Sequence, residues 1–272
     1  MRRMFYQPKS LDEALERKAA LGERGVLVAG GTDLVVAMNH GKAAPEHFID
    51  LSHCAGLDRI RRRRDGGLEL GGAATFAAAA RLPARALALA SLSVGGPGIR
   101  ELGTVAGNLA TASPAGDGST ALLALDAEVE LRSVRGRRRI PLEQFFLAYR
   151  RTALAADEII TRVVLPQGYR SDWAKVGKRG AVNISVVAAA VAVPPGGGCR
   201  IALASVAATP IRCRRAEAFL TENGATREAV GEAAEIVRGE ISPITDHRAS
   251  ADYKIHLSGV LVRRLLERLC LS

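Results

Sequence analysis

Val26-Leu27-Val28-Ala29-Gly30-Gly31-Thr32-Asp33-Leu34 constrains this chain more than any other stretch: a short apolar run ends abruptly in two glycines, a hydroxyl and a carboxylate. An apolar run of that length bounded by glycine reads as a buried strand that turns into a helix. Two adjacent glycines allow φ > 0 and put no Cβ before an approaching ligand, while the amides of the turn and of the first helical turn point outward. That geometry suits a pyrophosphate. A longer stretch, Gly103-Thr104-Val105-Ala106-Gly107-Asn108-Leu109-Ala110-Thr111-Ala112-Ser113-Pro114-Ala115-Gly116-Asp117, repeats the recipe.

Several familiar chemistries are excluded by spacing. Gly25-x-x-x-x-Gly30-Gly31-Thr32 has the glycine spacing of a phosphate-binding P-loop, but Gly31 occupies the lysine position, so nothing reaches the β and γ phosphates. Gly96-x-Gly98-x-x-Glu101 lacks both the third glycine and the preceding strand of a Rossmann fingerprint. No Gly-x-Ser-x-Gly elbow is present. His40, His47, His53 and Cys54 fit no metal-ligand spacing and read as structural. Cys54, Cys199, Cys213 and Cys270 are too dispersed for a zinc or iron–sulfur set or a disulfide framework, so a reducing compartment is expected. No catalytic residue and no metal site is expected. The plain structural roles of Asp33 and Asp117 are a helix-initiating carboxylate and an Asx-turn.

At 272 residues the chain is long enough for two or three compact units, and 48% hydrophobic with 24% charged residues places it among soluble globular proteins. Aromatic residues make up only 4%, which argues against a base-stacking nucleic-acid surface. The net charge of +10 is carried by arginines at 61–64, 137–139, 212, 214 and 215. These read as solvated loops and hairpin ends, the alternative being an electrostatic face for an acidic partner or anionic ligand. The basic N-terminus has no apolar segment behind it and no run reaches membrane-spanning length, so a cytoplasmic chain without membrane insertion is expected.

In chain order, Ser10 and Glu13 form a capping box ahead of a helix that fades at Gly22 or Gly25. A strand over 26–29, a helix from Asp33 to about His40 and a strand at Phe48–Leu51 make a βαβ unit. Leu57–Ile60 and Leu68–Gly71 form a hairpin across an arginine-rich turn, and helices run from Thr75 to Leu92. Residues 95–118 are expected to be one long binding loop. A helix over 120–125, a hairpin at 127–132 and 138–140 and a strand over 158–165 follow. Trp173–Val176, Ile184–Val193 and Ile201–Ala207 form a three-stranded meander, and helices cover 211–220, 226–237 and 246–271. The predicted fold is α+β with boundaries at 1–55, 56–168 and 169–272: a small βαβ subdomain, a larger mixed or antiparallel sheet with helices, and a three-stranded sheet with a helical bundle.

The ordered set Tyr6-Gln7-Pro8, Ala29-Gly30-Gly31-Thr32-Asp33-Leu34, Pro45, Ile49-Asp50-Leu51, Ile99-Arg100, Gly103 to Asn108, Ser113-Pro114-Ala115-Gly116-Asp117 and Asp246-His247-Arg248-Ala249-Ser250-Ala251-Asp252-Tyr253-Lys254 resembles the FAD-binding medium subunit of the xanthine dehydrogenase and carbon monoxide dehydrogenase family of molybdenum hydroxylases. The resemblance covers nearly the whole chain and makes its first two units a two-part FAD-binding module. It implies that Leu27, Val28, Ala29, Gly30, Gly31, Thr32, Asp33 and Leu34, with Thr104, Ala106, Gly107 and Asn108, cradle the FAD pyrophosphate. Asp117 would hold the cofactor near its ribose and phosphates, and Ile160 and Lys175 would lie by the isoalloxazine. It further implies a large molybdopterin subunit and a small subunit with two [2Fe-2S] clusters, in a dimer of heterotrimers that passes electrons to NAD, oxygen or another acceptor. The chain departs from the family pattern at Ala106, at Gly118-Ser119-Thr120 and at Asn183. Two other readings share the glycine loops: a self-sufficient FAD oxidoreductase, for which no acid or base is placed, and a non-redox nucleotide-binding assembly subunit.

Overall fold

The computed structural model describes residues 3–271. Its first part runs β1 (Met4–Tyr6), α1 (Leu11–Leu21), β2 (Gly25–Val28), α2 (Leu34–Asn39) and β3 (His47–Asp50). The strands form a parallel sheet in the order β1-β3-β2, with helices supplying crossovers that parallel strands need. The edge strand β1 was not expected; three half-exposed residues carry too little pattern to announce it. Ser10 caps α1 by accepting from the Glu13 amide, but the Glu13 carboxylate takes the Lys9 amide, one residue before the position a capping box would use.

The middle part comprises β4 (Ile60–Arg62), β5 (Leu68–Gly71), α3 (Phe76–Ala79), α4 (Arg85–Ser93), α5 (Pro97–Leu102), α6 (Val105–Thr111), α7 (Asp117–Ala124), β6 (Glu128–Ser133), β7 (Gly136–Pro141), β8 (Phe146–Ala148), β9 (Arg151–Thr152) and β10 (Ile159–Leu165). Five strands pair antiparallel in the order β4-β5-β10-β6-β7. The expected long loop over 95–118 instead holds two short helices, α5 and α6, and the start of α7. Their signals are local: Pro97 at the first turn of α5, Thr104 as N-cap of α6 and left-handed Ala112 ending it. Gly118-Ser119-Thr120 accordingly belong to the first turn of α7, with Gly118 so close to Phe76 that a Cβ would lie 2.9 Å from its ring. One face of the sheet (Leu70, Val129, Leu131, Val163, Leu165) packs on Leu87 of α4 and Leu122 of α7.

The last part holds β11 (Arg170–Val176), β12 (Val187–Val193), β13 (Arg200–Ala204), β14 (Ile211–Arg212), α8 (Arg214–Asn223), α9 (Arg227–Arg238) and α10 (Ala251–Cys270). The meander gains β14 as a fourth, two-residue strand where helix was expected. Its central strand is buried on both faces, and the faces differ in side-chain size. Ala188, Ala190 and Ala192 join the core shared with the middle part, whereas Val187 and Val191 meet the layer of α8, α9 and α10. Small side chains toward α4 and α7 let those helices approach the sheet closely.

A buried network fixes that junction. Arg212, its side chain 2% exposed, donates to Asp126 Oδ1 at 2.6 Å, to the Leu123 carbonyl at 3.1 Å and to Glu217 Oε1 at 2.5 Å. Asp126 also accepts from Arg200 and from the Tyr169 hydroxyl. A second cluster explains the carboxyl-terminal motif. Asp246 Oδ2 lies 2.6 Å from Arg248 and 3.0 Å from the ammonium of Lys254, whose side chain is 1% exposed, and Ser250 caps α10. The helix expected from 246 therefore begins at Ala251. Partial burial alone would raise the Asp246 carboxyl, but hydrogen bonds from Arg248 and Lys254 outweigh it and hold the group well below the usual carboxylate range. A carboxyl with a depressed folded-state value contributes stability above about pH 4 that is lost as pH falls further. Asp246→Asn should destabilise the chain by about 3 kcal/mol at pH 7, because Lys254 is left buried without its counter-charge. The difference in urea midpoint from the parent should shrink on acidification; equal midpoints at pH 7 would contradict the assignment.

Candidate functional site

The two glycine-bearing segments face each other across a cleft of about 400 Å³. The first follows β2 and enters α2. Gly31 has φ +67°, the left-handed region, and a Cβ there would meet Val35 only at an ordinary 3.5 Å, so the requirement is conformational. Gly30 answers a different requirement. A Cβ on it would stand 1.8 Å from the Leu102 carbonyl oxygen at the end of α5. The missing side chain of Gly30 thus admits the second segment, while its backbone still lines the cleft.

That second segment is clamped by backbone bonds. The Phe76 amide donates to the Gly103 carbonyl and the Val105 amide to the Ala74 carbonyl, both at 2.9 Å. Thr104 caps α6 by accepting from the Gly107 amide at 3.0 Å, and a Cβ on Gly107 would crowd the Thr104 hydroxyl at 2.7 Å. Ala106 lies within α6, where backbone φ is negative, so it stands in place of glycine without strain. The Thr111 hydroxyl reaches Asp33 Oδ2 at 3.2 Å and joins the two segments. Asn108 accepts from Ser119.

Thirteen of the fifteen expected site residues line this cleft: Leu27 to Leu34, Thr104, Ala106, Gly107, Asn108 and Ile160. Leu51, Phe76, Val94, Ile99, Leu154 and Ile159 complete its apolar walls, and none of them was expected. They come from five separate places in the chain, and only Ile159, beside Ile160 on β10, carried a local signal. Leu109, within the second segment, is fully buried in the core and does not face the cleft. Among the described residues, the amides of Gly30, Gly31, Thr32, Asp33 and Leu34 find no protein acceptor, and neither does that of Ala106. A row of unsatisfied donors ending in apolar walls fits a diphosphate ligand that also carries flat rings.

Asp117 and Lys175 do not line the cleft. They pair with each other at 2.7 Å where α7 meets β11, and both side chains are nearly buried. Lys175 also donates to the carbonyls of Ser93 and Asn183. Asp117 accepts from the hydroxyls of Ser185 at 2.6 Å and Ser93 at 3.4 Å. Burial pushes the Asp117 carboxyl up, against the opposing pull of Lys175 and the two hydroxyls. The side chain of Asn183 binds the Arg179 carbonyl rather than a cation.

The residues singled out as a false metal cluster are dispersed into the fold. His47 shares a hydrogen bond with Tyr6, and the Cys54 thiol donates to the Pro8 carbonyl. Among the described residues no group of three His, Cys, Asp or Glu is placed to hold a metal, and no helix is long and apolar enough to cross a membrane.

Comparison with known proteins matches residues 1–168 to the FAD binding domain in molybdopterin dehydrogenase and residues 173–269 to the CO dehydrogenase flavoprotein C-terminal domain. The chain is 36% identical to the nicotinate dehydrogenase FAD-subunit of Eubacterium barkeri, over 92% of this chain and 90% of that one. It is 32% identical to the carbon monoxide dehydrogenase medium chain of Hydrogenophaga pseudoflava, over 96% and 95%. The carbon monoxide dehydrogenase structure from Hydrogenophaga pseudoflava, solved without the Mo-pyranopterin moiety of its cofactor, superposes with a TM-score of 0.92 at 31% identity, covering 100% of this chain and 98% of that one. This chain therefore belongs to the FAD-binding medium subunits of the molybdenum hydroxylase family.

Proposed function

We propose that this chain holds FAD in the cleft and serves as the electron-transfer subunit of a molybdenum hydroxylase. The observation that carries the proposal is the row of unpaired amides from Gly30 to Leu34, facing Ala106 across a cleft with apolar walls. In this reading Leu27 to Leu34 and Thr104 to Asn108 cradle the pyrophosphate, the side chains of Thr32 and Asn108 add hydrogen bonds, and Ile160 flanks the isoalloxazine. FAD, when bound, supplies the redox chemistry, and the protein supplies position and exclusion of water. Electrons would arrive from [2Fe-2S] clusters on a small partner subunit, fed by a large molybdopterin subunit, in a cytoplasmic dimer of heterotrimers. They would leave to NAD, oxygen or another acceptor. The relatives named above as FAD-subunit or medium chain support this division of labour. No residue of this chain is assigned bond-breaking work on the organic substrate.

Asp117 and Lys175 receive a positioning role, because neither lines the cleft while their ion pair ties α7, the end of α4 and β11 together.

The apoprotein incubated with FAD and desalted should retain flavin absorption; a folded chain that shows none would remove the redox reading and leave a non-redox subunit. Gly31→Val forces a branched residue into left-handed backbone at a cost of about 1–3 kcal/mol. Its FAD affinity should fall roughly tenfold or more with an unaltered far-ultraviolet spectrum, and unchanged affinity would refute the cradle. Asp117→Ala should cost about 3 kcal/mol of stability and loosen FAD, since it strands a nearly buried ammonium. Asp117→Leu combined with Lys175→Met should recover most of both. Recovered stability without recovered FAD retention would show direct contact instead of positioning.

A further inference from the structure

One arginine from each of the stretches 61–64 and 137–139, neither of which the flavin site explains, lines a single concavity together with three further arginines. The face of the five-stranded sheet opposite its helices carries a second cavity of about 540 Å³, walled on one side by Leu11 and residues 55–57 of the N-terminal part. Five arginines line it: Arg59 before β4, Arg61 on β4, Arg132 on β6, Arg137 on β7 and Arg162 on β10. Two glutamates, Glu69 and Glu130, also line it, which leaves a surplus of three positive charges.

The pairing of these arginines is uneven. Arg162 reaches Glu130 at 3.3 Å, and Arg132 reaches Asp12 at 2.9 Å. Arg59, Arg61 and Arg137 have no acidic partner among the described residues. Arg132 and Arg137 are also directly opposite each other in the β6–β7 register. Like charges facing across an antiparallel pair are destabilising, and Asp12 offsets only the Arg132 side of this pair, leaving Arg137 without a counter-charge among the described residues. Arg59, Arg61 and Arg137 are exposed where they line this open concavity, and Arg132 and Arg162 are half-buried in it. The floor is fixed: Gly71 lies under the Leu57 carbonyl, where a Cβ would stand 2.1 Å from the oxygen, and buried Thr161 donates to Glu130 at 3.0 Å.

We propose that this cavity binds a condensed phosphate anion, of the tripolyphosphate or nucleoside-triphosphate class. Guanidinium forks match phosphate oxygens in pairs, and an anion carrying three or more negative charges complements the surplus on the walls. The concavity and the spread of arginines over four strands and a loop suit a compact polyanion better than an extended acidic chain. Bound phosphate would also give Arg137 the counter-charge that Asp12 gives Arg132. The site lies outside the flavin cleft and shares none of its lining residues.

Calorimetric titration of the full chain with sodium tripolyphosphate, at low salt and with FAD present to occupy the cleft, tests the proposal. One equivalent should bind, and the affinity should fall as salt screens the charges. Arg61→Gln combined with Arg137→Gln should weaken binding at least tenfold, and Arg64→Gln, on the same hairpin but outside the cavity, should leave it unchanged. Arg137→Gln alone should raise the thermal midpoint of the phosphate-free chain; a lowered midpoint would mark the arginine as structural and overturn the proposal. ATP binding with similar affinity identifies a free phosphate compound as the source. A poly-glutamate peptide or a short DNA duplex that binds where tripolyphosphate does not would overturn it in favour of a macromolecular partner, and equal affinity for the parent and the double variant would overturn it outright.

Discussion

The structure depends on a close approach of two backbones. Gly30 sits where any side chain would collide with the Leu102 carbonyl, so the turn after β2 can press against the end of α5. Everything that shapes the cleft follows from that contact. The Gly103 and Ala74 carbonyls lock the second segment to the start of α3, Thr104 starts α6, and Thr111 reaches back to Asp33. Residues far apart in sequence are thereby held as the two lips of one site, and the Gly30–Leu34 amides stay unpaired between them.

Such a site must be rigid behind its lips, and the packing behind α7 supplies this. Alanines of β12 let α4 and α7 lie close to the C-terminal sheet. The Asp117–Lys175 pair binds one end of α7 to β11, while Arg212, reaching Leu123 and Asp126, binds the other. The C-terminal part is therefore more than an appendage: through α7, whose Ser119 contacts Asn108, it braces one wall of the cleft.

Local chemistry made much of this readable from sequence. Apolar runs stopped by glycine marked β2 and the hairpins, and Ser10 marked the start of α1, which it caps. The errors have equally physical origins. Residues 95–118 read as loop because glycine lowers helix propensity, yet tertiary packing against Phe76 and the sheet overrides it. The second role of Gly30, admitting Leu102, was not readable because that neighbour is about seventy residues away, beyond any periodicity. The apolar walls Leu51, Phe76, Ile99 and Leu154 are ordinary hydrophobic residues whose convergence only the fold reveals. Likewise, the carboxyl-terminal motif proves to be an ion cluster and helix cap around Asp246 and Ser250.

The central claim is that the unpaired Gly30–Leu34 amides receive the cofactor's pyrophosphate. Hydrogen–deuterium exchange with and without FAD tests it most directly, since exchange reports on those amides themselves. The account predicts strong protection of the 29–35 and 104–108 segments on FAD binding. Bound FAD with unchanged exchange across 29–35 would contradict it.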